Sequence, residues 1–449
     1  VQQVGGFAPR FPPRRRLQDN GKAGCRRAGC RNQQNRPLIR QIRIIQTIEV
    51  MAFEKHPFIS EELRGGISFR IKRIQGIMAE SGIDGMLISG NANIFYTSAR
   101  FFRGYTYVPS QGEAVYFVVR PVEYTFEGVK SFCIRKPEQI PSVMEDNAIP
   151  LPATLAVEED ALTYSEVMRL RKVFPDASAV DAGPVMRRAR MQKTAYEIGQ
   201  MKIDGLHQAA AYRRIPHIYR EDMTDVEFQV EIERVLRLEG ALGYSRMSGR
   251  LMEINLGSVL YGPNADAPTP YEFALGGAGT DPSLPVGADG SIMRAGHTVM
   301  VDMNGGFNGY QSDMTRVWRI GDVPAIAVKA HECSRRILRR LEAIGRPGCP
   351  VSDLYHEAMK IVEEDGLEKY FMGHTQQVGF IGHGVGIELN EQPAITPRSK
   401  DTLLEDMTLA IEPKFVIPEI GAVGVENTYV VAPDGLQSIT PFPEEIQEL

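Results

Sequence analysis

The chain has 449 residues, enough for about two to four domains and a large core, so a small stapled module is excluded. Hydrophobic residues make up 43% and charged residues 24%, ordinary for a globular protein, and no uncharged apolar run approaches the ~18 residues needed to cross a bilayer. The net charge of -5 hides an asymmetry: residues 1–50 carry eleven Lys and Arg against two acids, Asp19 and Glu49, leaving 40 basic and 54 acidic residues for the rest.

An acidic body shows no footprint for nucleic acid. The basic segment is rich in Gln, Asn, Gly and Pro, buries little apolar surface and reads as disordered. It could be a nucleic-acid or membrane arm, a transit peptide, or sequence ahead of the true start. Because the chain opens on Val1, has no Ser before residue 50 and turns globular at Met51, the last is favoured and residues 1–50 are expected to be dispensable. The five Cys (Cys25, Cys30, Cys133, Cys333, Cys349) form no CxxC pair and are odd in number, which suits a reducing, cytoplasmic setting better than a disulfide framework.

In chain order, Ile67, Ile71, Ile74 and Met78 recur at helical spacing, and the apolar run from Gly85 to Ser89 follows as a buried strand. Strands at 114–119, 154–157 and 178–181 with a helix at 164–173 complete a small α/β domain over residues 55–183. Thr194 and Glu197 have the spacing of a capping box and open a helix expected to run to about Tyr219; Thr224 and Glu227 repeat the signal for a helix ending near Gly240. Strands and Gly-rich turns from 251 to 309, helices at 325–343 and 352–364, and terminal strands predict one large α+β domain over residues 184–449.

The chemistry concentrates in that second domain. Residues 297–316 read as a hairpin, and a turn centred between Phe307 and Asn308 sets Asp302 opposite Asp313. A second hairpin centred on Glu419 sets Glu412 opposite Glu426. Turn acids and solvated strand faces account for many such residues, but both Glu412 and Glu426 lie in apolar strands, and facing like charges are destabilising unless cations compensate them. His383 stands between Gly382 and Gly384, which lets a metal or substrate approach the imidazole closely. The surrounding glycines lack phosphate-loop spacing. One imidazole and four carboxylates suit two divalent ions such as Mn, Co, Zn or Fe, and metal binding lowers the pKa of water to about 7 in favourable sites, supplying a nucleophile without Ser or Cys.

These residues, in this order, resemble the superfamily of methionine aminopeptidase, aminopeptidase P, prolidase and creatinase, over about residues 55–445. The resemblance implies a pita-bread catalytic domain preceded by a smaller creatinase-type N-terminal domain, the latter favouring the Xaa-Pro-cleaving branch. It implies that Asp302 chelates one ion, that His383 and Glu412 hold the other, and that Asp313 and Glu426 bridge both, with Glu412 also moving protons. Three positions depart from the Xaa-Pro pattern: Gly379, Asn390 and Gly424 stand where those members carry His, His and Arg, and Thr269 falls loosely on a further family His. Asn390 keeps a hydrogen-bond donor for substrate but cannot transfer protons as an imidazole does; His374 is a possible substitute from a neighbouring loop.

Three functions follow as expectations. The first is a dinuclear metallopeptidase acting on peptides with proline in second place, as a homodimer. The second is a creatinase-like hydrolase or lyase on a small non-peptide substrate. The third is a metal-binding pseudo-peptidase.

Overall fold

The computed structural model describes residues 61–121, 129–249 and 254–449, so the expectations for residues 1–50 lie outside the described residues. Helix α1 (Glu61–Glu80) buries Ile71, Ile74 and Met78 on one face, as their spacing predicts. Strand β1 (Gly85–Ile88) is buried along its whole length. Helix α2 (Asn91–Ser98), strands β2 (Arg103–Pro109), β3 (Val115–Arg120) and β4 (Ser131–Cys133) and helix α3 (Ile140–Asp146) follow. Next come strand β5 (Thr154–Val157), helix α4 (Tyr164–Val173), strand β6 (Ser178–Asp181) and helix α5 (Gly183–Met191). The six strands form one mixed sheet in the order β4-β3-β2-β1-β5-β6.

Helix α6 (Ala195–Tyr212) begins at the expected capping box, with the Thr194 side chain accepting from the Glu197 amide. It stops at Tyr212, short of the expected Tyr219, and a short 3-10 turn (Ile215–His217) takes over. Pro216 explains the difference: it has no N–H to donate and disfavours helical backbone at the residue before it. Helix α7 (Asp225–Leu238) carries the second capping box at Thr224.

Four strands then make the first sheet of the second domain, in the order β16-β9-β8-β7, from β7 (Gly257–Tyr261), β8 (His297–Asn304), β9 (Asp313–Ile320) and the C-terminal β16 (Gln447–Glu448). Helix α8 (Ala325–Ile344) packs on the other sheets and helix α9 (Val351–Asp365) packs on α8; Ile337, Leu341, Leu354 and Val362 of the two are fully buried. The last sheets are β10-β11-β14-β15, from β10 (Gly382–Gly384), β11 (Thr408–Ile411), β14 (Asn427–Ala432) and β15 (Gly435–Ser438), and the pair β12 (Lys414–Ile417) with β13 (Gly421–Gly424).

The second hairpin keeps one register from β11–β14 through β12–β13, pairing Ile411 with Asn427 and Lys414 with Gly424. Glu412 and Glu426 sit in the break between the two pairs. Pro413 causes it on one strand, because it cannot donate to the ladder. On the other strand the Val425 amide donates to Ser334 Oγ (2.9 Å) and the Glu426 amide to the Thr315 carbonyl (3.3 Å), so neither is left unpaired.

Candidate metal centre

The first hairpin corrects the expected register. Asp302 pairs with Thr315 and Asp313 with Asn304, so the axis lies between Asn308 and Gly309, one residue later than predicted. The turn is pulled into other contacts: the Gln311 amide donates to the Gly386 carbonyl (2.7 Å) and Arg70 donates to the Tyr310 hydroxyl (3.0 Å). The side chains of Asp302 and Asp313 are therefore diagonal neighbours. They still share one face, because the change is an even number of residues in a structure of period two.

Three further elements bring up the other side chains. β10 pairs with β11, setting His383 beside Ala410. The Glu412 amide donates to the Ile381 carbonyl (2.9 Å) and fixes that glutamate beside the histidine strand. Thr315 Oγ1 donates to Glu426 Oε2 (2.6 Å), and Thr428 Oγ1 accepts from the Asp313 amide and donates to its carbonyl (2.8 and 2.9 Å), which locks the two hairpins together. Behind them Arg316, 1% exposed, donates to the carbonyls of Glu426 (2.7 Å) and Phe442 (2.8 Å).

All five expected ligands thus converge. Asp313, His383 and Glu426 offer ligand atoms within 4.8 Å of one another, and so do Asp302, Glu412 and Glu426. The two triads differ. In the first, His383 Nδ1 donates to the Gly384 carbonyl (3.0 Å), which leaves Nε2 facing Glu412 Oε1 at 3.6 Å and Asp313 Oδ2 at 4.0 Å. That is the arrangement of a metal-binding imidazole held by an outer hydrogen bond. Glu426 Oε1 is buried without a hydrogen-bond partner. Burial pushes the Glu426 carboxyl up to about 8, although Lys414 opposes the shift, and burial followed by the Glu426 charge pushes Asp313 well above the carboxylate range. This corner is short of a positive charge, and a divalent ion fits it.

The second triad already contains one. Lys414 Nζ lies 2.8 Å from Asp302 Oδ2, 2.6 Å from Glu412 Oε2 and 3.0 Å from Glu426 Oε2. Burial works against the ammonium, but the three carboxylates outweigh it and hold its pKa well above the usual value. Sequence reasoning passed over Lys414. Two signals could have found it: it lies two residues after Glu412 and so points to the same side of its strand, and it faces Gly424, the position that lacks the expected Arg.

The ligands open on a cleft whose walls include Met247, Phe273, Leu275, Phe380 and Leu389. Asn390 lines it too, with Oδ1 accepting from the Ser248 amide (2.8 Å) and Nδ2 donating to the Ser248 carbonyl (2.7 Å). His374 lies apart, with Nδ1 3.1 Å from Asp266 Oδ2, and Thr269 is held by Gln376 on the same loop. A Cβ at Gly379 would meet nothing within 4 Å.

Residues 200–433 match the metallopeptidase family M24, and residues 70–192 match the creatinase/prolidase N-terminal domain. The chain belongs to metallopeptidase family M24. It is similar to an Xaa-Pro dipeptidase of Pyrococcus furiosus, 24% identical over 84% of this chain and 99% of that protein, and to an uncharacterised peptidase of Bacillus subtilis, also 24% identical with the same coverage. Among solved structures it is similar to an Xaa-Pro dipeptidase from Bacillus anthracis (TM-score 0.71, 23% identity, 85% of this chain and 100% of that one). An X-Pro aminopeptidase from Thermotoga maritima gives a TM-score of 0.68 at 22% identity over 84% and 99%. The fold is therefore the expected one: a pita-bread catalytic domain behind a creatinase-type N-terminal domain. Among the described residues no helix is long and apolar enough to cross a membrane.

Proposed function

We propose that this metallopeptidase hydrolyses short peptides with proline in second place. The observation that carries the reading is the convergence of Asp313, His383 and Glu426 on an apolar-walled cleft, in a chain that matches a named Xaa-Pro dipeptidase over nearly all of that protein.

Asp313, His383 and Glu426 would hold a divalent ion, which would supply Lewis-acid polarisation of a carbonyl and a lowered pKa for water. Glu412 acts as the proton carrier. Its Oε2 is fixed by Lys414, while its Oε1 faces the His383 imidazole. As the water oxygen bonds to the carbonyl carbon and the bond to the proline nitrogen breaks, Glu412 takes the water proton and passes it to that nitrogen. The apolar walls exclude bulk water and accommodate the proline ring, and Asn390 supports the wall by holding the Ser248 loop. Homodimerisation and a cytoplasmic location belong to the same reading; one 50.0 kDa mass by light scattering across a wide concentration range contradicts the dimer.

The test sets Xaa-Pro dipeptides, Xaa-Pro-Yaa tripeptides and creatine side by side with protein loaded with Mn or Co. Cleavage of either proline peptide, lost on chelation, is the expected result. Turnover of creatine alone moves the assignment to the small-substrate reading, and no turnover with metal bound moves it to a pseudo-peptidase.

A further inference from the structure

We propose that Lys414 fills one of the cluster's two cation positions permanently, so that the protein binds a single divalent ion per chain, at Asp313, His383 and Glu426. The inference rests on the metal-dependent reading above and changes the number of ions that the resemblance implies.

The geometry of the second triad is that of an occupied site. An ammonium has three donors, and here the ammonium lies within hydrogen-bond distance of three different carboxylates, at 2.6 to 3.0 Å, close to the ordinary range for charge-assisted hydrogen bonds. A divalent ion would need the same oxygens at about 2.0–2.2 Å around a common centre. That centre is where Nζ lies. The side chain is 1% exposed, and its backbone is held in the β12–β13 pair. The first triad has the opposite character, with a buried carboxylate oxygen lacking a partner and an imidazole nitrogen turned towards carboxylates beyond hydrogen-bond distance.

The backbone shows how the lysine is accommodated. Gly424 lies directly opposite Lys414 with a φ of 137°, and a Cβ there would come within 2.9 Å of Lys414 Cα and 2.7 Å of the Pro413 carbonyl oxygen. The positive side chain expected at 424 is absent, and a positive side chain stands on the neighbouring strand in its place. One ammonium and one divalent ion also leave the four carboxylates with the same formal charge as two divalent ions bridged by a hydroxide.

Equilibrium dialysis of the full chain against Mn(II), followed by elemental analysis and electron paramagnetic resonance, tests this directly. Wild type should hold one ion with the spectrum of an isolated Mn(II). Lys414→Ser should hold two with an exchange-coupled spectrum. Asp302→Asn should keep one ion in the wild-type background, because Asp302 binds the lysine and not the metal, and should return Lys414→Ser to one. Two ions in wild type, a folded Lys414→Ser that still holds one, or loss of the ion from Asp302→Asn alone overturns the inference. A wild-type value near zero overturns this inference and the metal-dependent reading together, whereas a value of two overturns this inference alone. If Lys414→Ser does not fold, wild type and Asp302→Asn still decide the matter.

Discussion

The two triads use the same kind of carboxylate ligand, share Glu426 and sit a few ångströms apart, yet they solve the problem of buried negative charge in different ways. The Asp302–Glu412 side contains its own cation in Lys414, whereas among the described residues the Asp313–His383 side shows none of its own and leaves Glu426 Oε1 without a hydrogen-bond partner. A ligand set read as a list of residue types misses this contrast, because what decides whether an ion can enter is the side chain already at the centre.

Removing a ligand from the open side should have the largest effect. His383→Ala should lose its metal and lower kcat/KM by about 1000-fold, since a Lewis acid is worth several kcal/mol in the transition state. Metal analysis beside steady-state kinetics checks it. Retention of both metal and rate would remove His383 from the ligand set.

On the closed side the corresponding change is to stability. Lys414→Met leaves three carboxylates without their counter-charge, and breaking a buried ion pair on one side costs about 4 kcal/mol. The metal-free variant should show that loss in urea denaturation, and added Mn(II) should recover much of it, because an ion can then enter the vacated position. A loss that Mn(II) does not reduce would mean that Lys414 is a packing element only.

Behind the closed side, His331 must stay neutral: its Nδ1 accepts from the Gly424 amide (3.3 Å) and its Nε2 donates to the Glu444 carbonyl (2.7 Å). Burial lowers its pKa from 6.5 to about 4. The folded state therefore binds fewer protons than the unfolded state between those values, and stability falls as pH drops from 6.5 to 4, by at most about 3 kcal/mol. Denaturation of His331→Gln at both pH values should show a smaller drop than wild type. An equal drop would assign the acid sensitivity to other groups.

How much of this was legible in the sequence depends on which property carried it. Parity survived where register did not: Asp302 and Asp313 share a face although the turn axis moved by one residue, because contacts made by Tyr310 and Gln311 reshape the loop. The second hairpin came out in register, with Pro413, which cannot donate to the ladder, at the break that aims Glu412. Helix α2 was missed, since the stretch from Asn91 to Ser98 has neither a side-chain cap nor an apolar stripe, and its stability comes from packing beneath α1. Lys414 was missed for a different reason: a lysine in an apolar strand looks like an edge residue until the partner positions around it are known.

The smallest expected effect concerns the cleft wall. Asn390 was expected to meet substrate directly; it lines the cleft, and its amide is also joined to the Ser248 backbone at both ends. If the Ser248 contact positions the wall and leaves the metal alone, Asn390→Ala should lower kcat/KM by about tenfold, or ~1.4 kcal/mol, mainly through KM and with unchanged metal content. Asn390→Asp separates the two roles. It keeps the acceptor for the Ser248 amide but sets a carboxylate against the Ser248 carbonyl, so a wall-positioning role predicts a loss near that of Asn390→Ala. Asn390→His removes the paired contact while placing an imidazole on the cleft wall. If it cleaves Xaa-Pro peptides at least as fast as wild type, the position acts on substrate and the Ser248 contact is incidental. If Asn390→Ala leaves the kinetics unchanged, neither role holds, and the loop around Ser248 contributes nothing to turnover.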